Sequence, residues 1–70
     1  MNNRMEEFRI QNGWTQQELA DRTGVSRQTI ISLERGRYNP SIILAFRLAR
    51  QFDLKIEDLF LYSMEDDENE

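Results

Sequence analysis

Neither cysteine nor histidine occurs in this chain. Without cysteine there is no disulfide and no thiolate metal site. Without histidine the usual general base and the commonest metal ligand are gone. No nucleophile–base pair can be assembled from what remains, so an enzyme is not expected, and neither a cofactor nor a metal site is expected. No apolar run approaches the length of a membrane span and no signal-peptide pattern opens the chain, so the expectation is a cytoplasmic protein with no membrane partner. The sequence shows no strand pattern, internal repeat or glycine-rich phosphate loop. Seventy residues suffice for one domain, which at that size buries only about 60% of the surface its unfolded chain exposes.

What is present is unevenly charged. The net charge is −4, yet residues 1–56 hold nine Arg and Lys against six Asp and Glu. Between Arg22 and Arg50 there are six basic residues and one acidic, whereas all seven charges from Glu57 onward are acidic. A basic body with an acidic tail is compatible with binding a polyanion, since phosphate contacts depend on the local patch and not on the sum.

The most informative stretch is 15–36. Thr15 is placed to cap a helix, with Glu18 at the position that reaches back to the cap's own N–H and completes a capping box. Gly24 can end that helix in a left-handed conformation. Ser26 can cap a second helix, with Ile30 and Leu33 three apart on its inner face. Ala20 is small where the two helices should cross. Thr23 to Ser26 form a four-residue turn, a length typical of helix-turn-helix units. Such a pair suits the DNA major groove, although two capped helices with a glycine turn also occur in helical proteins that never meet nucleic acid.

Five helices fit the chain: 4–11, ended by Asn12-Gly13; 16–22; 27–35; a fourth capped by Ser41 with Leu44, Ala45, Leu48 and Phe52 as its buried stripe; and a short fifth, 56–62, with Ile56, Leu59 and Phe60 at helical spacing. Gly36 and Pro40 punctuate the loop between the third and fourth. Residues 1–63 read as one all-α domain. Residues 64–70 read as an acidic tail with too little apolar surface to fold.

The residues Gly13-Trp14-Thr15-Gln16-Gln17-Glu18-Leu19-Ala20, Gly24-Val25-Ser26-Arg27-Gln28-Thr29-Ile30, Leu33-Glu34-Arg35-Gly36, Tyr38-Asn39-Pro40-Ser41 and Ile56-Glu57-Asp58-Leu59-Phe60 together resemble the lambda-repressor/Cro-type (XRE) helix-turn-helix family. The likeness spans about residues 4–61 and fits its small stand-alone regulators. It implies a five-helix DNA-binding domain whose third helix enters the major groove, and a sequence-specific transcriptional regulator, a repressor acting as a dimer on double-stranded DNA. The base-reading positions it implies are Arg27, Gln28 and Ser32. Arg can pair bidentately with guanine and Gln with adenine; the lesser alternative is that Arg27 meets only a phosphate. Thr15 and Gln16 at the start of the second helix, and Arg37, Tyr38 and Asn39 in the loop after the third, fall where the family grips the DNA backbone, contacts that set register and not sequence. Arg9 and Glu34 fall where relatives form a structural ion pair.

Several positions depart from the family pattern. Ile31 replaces a small or polar residue, and either rests on a thymine methyl as a further base-reading residue or is a rim residue of the core. Ile43 stands where Glu is frequent, leaving the Ser41 cap without an acidic partner and an apolar group free to be exposed. Asp53 replaces the usual glycine after the fourth helix, a tolerable exchange because Asp enters the left-handed region more readily than most residues. Lys55 replaces the usual hydroxyl cap of the fifth helix. Ile43, Phe46, Phe60, Leu61 and Tyr62 are more apolar groups than so small a core can hide, and suggest a two-fold interface. The alternative role is a protein-interaction module, such as the antitoxin of a toxin–antitoxin pair, with the last helix and the tail gripping a protein partner.

Overall fold

The structure, a computed structural model, describes residues 2–37 and 39–61. Tyr38, Tyr62 and the acidic tail, on all of which the sequence raised expectations, lie outside the described residues. The order is β1 (Asn2–Asn3), α1 (Met5–Gln11), α2 (Gln16–Thr23), α3 (Arg27–Glu34), α4 (Ile42–Gln51), α5 (Ile56–Leu59) and β2 (Phe60–Leu61).

The helix boundaries follow from local chemistry. The Thr15 hydroxyl accepts the Glu18 N–H at 3.0 Å, and the Glu18 carboxylate accepts the Thr15 N–H at 3.2 Å, so both halves of the capping box are made. Gly24 closes α2 at φ 74°. Ser26 Oγ accepts the Thr29 N–H at 3.1 Å to start α3, and Ser41 Oγ accepts the Leu44 N–H at 3.2 Å to start α4. Each such cap stabilises its helix by about 1 kcal/mol. No acid stands in the first turn of α4, so the Ser41 cap has no reciprocal bond. At α5 only the returning half exists, the Asp58 carboxylate accepting the Lys55 N–H at 3.4 Å. Asp53, just past α4, holds the left-handed conformation expected of it, at φ 55°. At the head of α1, Arg4 pairs with Glu7 at 2.8 Å, and that hydrogen bond raises the guanidinium and lowers the carboxyl from their ordinary values.

α2 packs on α3 and α4, α1 on α3, and α5 on α4. Met5, Leu19, Ile30, Leu33, Leu48 and Leu59 meet fully buried at the centre, each contributing roughly 1.5–3 kcal/mol by its removal from water. Ala20, Ala45 and Ala49 are buried as well, keeping the helix axes close. Phe52 closes one side of the core between Phe8 and Trp14, with ring centroids 6.1 and 5.5 Å away.

Two expectations need correction. β1 and β2 form an antiparallel ribbon, Asn2 opposite Leu61 and Asn3 opposite Phe60, although no strand pattern is visible in the sequence. Strands of two residues are too short for a period-two pattern to be visible. The fifth helix also stops at Leu59 instead of running to residue 62. Extended backbone at Phe60 and Leu61 finds ladder partners in β1, and the Arg4 N–H bonds the Leu59 carbonyl at 2.8 Å. The same turn of the chain buries Phe60 in the core, which removes it from the set of surface apolar groups.

Candidate nucleic-acid interface

α3 has two unlike sides. Ile30 and Leu33 face inward and are buried. Arg27, Gln28, Ile31 and Ser32 occupy positions i, i+1, i+4 and i+5, which lie together on the helix surface. Of these Arg27 and Gln28 are exposed in the first turn, while Ile31 and Ser32 are half-buried. Because Ser26 both caps the helix and bonds Thr29 through its hydroxyl at 3.0 Å, the first turn is fixed beneath the two long polar side chains.

The end of α3 is fixed as firmly. Arg35, Gly36 and Arg37 donate their N–H groups to the carbonyls of Ile31, Leu33 and Ser32, with Gly36 at φ 69°. This aims the following loop, in which Arg37 and Asn39 are exposed. Thr15 is exposed at the head of α2.

Gln16 sits differently from a free surface residue. Its amide donates to Glu34 Oε1 at 3.1 Å, the same carboxylate that Arg9 holds at 2.7 Å. Arg9 further donates to the Trp14 carbonyl at 2.9 Å. The expected Arg9–Glu34 pair is thus the centre of a network joining α1, the start of α2 and the end of α3. Its side chains are only 13% and 4% exposed, and the Glu34 carboxylate is met by donors from both Arg9 and Gln16. The Gln16 bond was not foreseen in the sequence, although the position of Glu34 three residues before Arg37 makes it a natural anchor between α3 and the loop that follows. The amide keeps a second N–H for an outside acceptor.

The family model described as helix-turn-helix matches residues 5–59. This chain belongs to the lambda-repressor/Cro (XRE) type of helix-turn-helix family. A helix-turn-helix-type transcriptional regulator of Methanocaldococcus jannaschii is 52% identical over 68 residues, covering 97% of this chain and 100% of the relative. More distantly, the antitoxin HipB of Escherichia coli is 37% identical over 54 residues, 77% of this chain and 57% of HipB. Among solved structures, the restriction-modification controller protein C.AhdI of Aeromonas hydrophila superposes with a TM-score of 0.74 at 33% identity, over 81% of this chain and 86% of that one. The biofilm master regulator SinR in complex with DNA superposes at 0.70 and 29% identity, over 77% and 87%. The helix-turn-helix chain is therefore a DNA-binding transcriptional regulator, built on the five-helix lambda-repressor-like fold.

Two further features complete the surface. Ile42, Ile43 and Phe46 on α4 are 70%, 63% and 54% exposed, and Leu61 joins them as an exposed apolar group. Ile42, one residue past the Ser41 cap, was not singled out in the sequence. Among the described residues no acidic cluster is placed to hold a metal ion, and no helix is long and apolar enough to cross a membrane.

Proposed function

We propose that this regulator is a dimeric, sequence-specific repressor that reads the major groove with α3. The observation carrying this is the exposure of Arg27 and Gln28 on a doubly tethered first turn, with Ile31 and Ser32 beside them on the same side of the helix. Arg27 offers a bidentate fork to guanine and Gln28 a donor–acceptor pair to adenine. Ile31 supplies an apolar contact for a thymine methyl, and Ser32 a hydroxyl for either kind of edge. Thr15, Gln16, Arg37, Tyr38 and Asn39 hold phosphates and set the docking register. A second copy, joined through the apolar surface of α4 and Leu61, brings two recognition helices about 34 Å apart, the spacing of half-sites one helical turn apart. Repression follows from occupying a promoter that polymerase must enter.

Selection of bound sequences from a random duplex library at moderate salt tests this reading. The expected result is a palindromic consensus, with Arg27→Ala and Gln28→Ala each weakening it by about 1–3 kcal/mol and relaxing preference at one base pair per half-site. A folded protein that enriches no sequence sinks it.

The second reading is a module whose main partner is a protein, as for an antitoxin. It is favoured by the exposed Ile42, Ile43 and Phe46 and by the likeness to HipB. Recovery of a stoichiometric foreign protein with this chain from its native host supports that role, and recovery of the homodimer alone argues for the first.

A further inference from the structure

A second basic surface lies away from the reading side chains of α3. Arg22, Arg47 and Arg50 line an open groove of about 630 Å³ together with Asp21, Thr23, Gly24 and Gln51, between the C-terminal ends of α2 and α4. Arginines at helix C-termini often serve only to cap carbonyls. Here several of those carbonyls already have donors. Ala20 O accepts from Val25 N–H and the Thr23 hydroxyl, Leu19 O from the same hydroxyl, and Arg22 O from the Gln51 amide. At α4, Ala49 O and Arg50 O accept from the N–H groups of Phe52, Asp53 and Leu54. The Asp21 carboxylate accepts from Gln17 at 2.9 Å. Among the described residues none of the three guanidinium groups pairs with a carboxylate, and Arg22 is held in place by stacking 4.2 Å above the Trp14 ring. Gly24 leaves open space at the mouth of the groove.

We infer that this groove binds the chain's own acidic tail. Residues 65–70 carry five carboxylates and no cation, a match for three guanidinium groups that can donate to carboxylates in a fork. Nine residues follow Leu61. At 3.3–3.6 Å per residue they reach up to about 30 Å, against a domain that measures 34 × 22 × 20 Å. A tether of that length supplies an effective concentration in the millimolar range, at which ion pairs too weak to hold a free peptide are populated. A docked tail adds negative charge to the domain and lowers its general attraction for phosphates.

The test compares ¹⁵N spectra of the full chain and of a chain ending at Met64, at low salt. Removing the tail is expected to move the Nε–Hε signals of Arg22, Arg47 and Arg50 and the Gly24 amide, and to leave those of Arg27 and Arg37 in place. The difference should vanish at about 0.5 M salt, where screening is short-ranged, and should persist on tenfold dilution. In the full chain, Arg47→Gln with Arg50→Gln should shift the tail amides to their high-salt positions. The inference is overturned by an absence of shifts, by shifts at Arg27 and Arg37 instead, which put the tail on the DNA-reading side, or by shifts lost on dilution, which assign the contact to a second copy.

Discussion

The α2–α3 unit and the α4–β2 segment solve the same packing problem with opposite surfaces. In α2–α3 both helices start on a side-chain cap, one with a complete box, the buried ion pair is satisfied by a third group, and the residues turned outward are long and polar. In α4–β2 the caps are one-sided, a non-glycine residue occupies the left-handed turn, and large apolar side chains remain in water. The first surface suits a hydrated polyanion, whose phosphates and base edges demand polar groups in fixed positions. The second suits another apolar surface, and the missing buried area is what a partner would supply. One half covers its apolar side chains by itself, and the other leaves several of them exposed.

The largest effect should come from damaging the first half. Glu34→Ala strands the Arg9 guanidinium and frees the Gln16 amide, and is expected to cost about 3–5 kcal/mol in a denaturant titration. Replacing both partners, Arg9→Met with Glu34→Leu, should recover much of that loss. If the double variant is as unstable as the single one, the network owes its weight to shape and not to charge. The second half is broken by Ile43→Lys with Phe46→Lys. This pair should turn a dimer into a monomer by sedimentation with the thermal midpoint of the monomer little changed, because both residues are exposed. A smaller change sharpens the contrast by repairing α4–β2. Asp53→Gly relieves a left-handed residue and should raise stability by about 0.5–1 kcal/mol without altering DNA binding.

The sequence disclosed these two halves unequally. Caps, the glycine turn and the inner pair Ile30 and Leu33 are local features, and local features survive in a string of letters, so α2–α3 was legible almost to the residue. The Arg9–Glu34 pair was legible only through family likeness, since nothing local announces a contact between residues 25 positions apart. The ribbon was illegible because Asn2 and Leu61 meet only once everything between them has folded, and with it went the correct place of Phe60. The candidate DNA-contacting residues were found by likeness, whereas the bond from Gln16 to Glu34 became visible only in the fold.

The ribbon has a practical consequence. Asn2 and Leu61 face each other across one strand pair, at the Cα separation of about 5 Å usual for such neighbours. The domain is therefore nearly a closed loop of chain, and suited to circular permutation. A short linker across that gap, with new ends opened at the exposed Asn12-Gly13 turn, would keep every helix intact while carrying α1 to the other end of the gene.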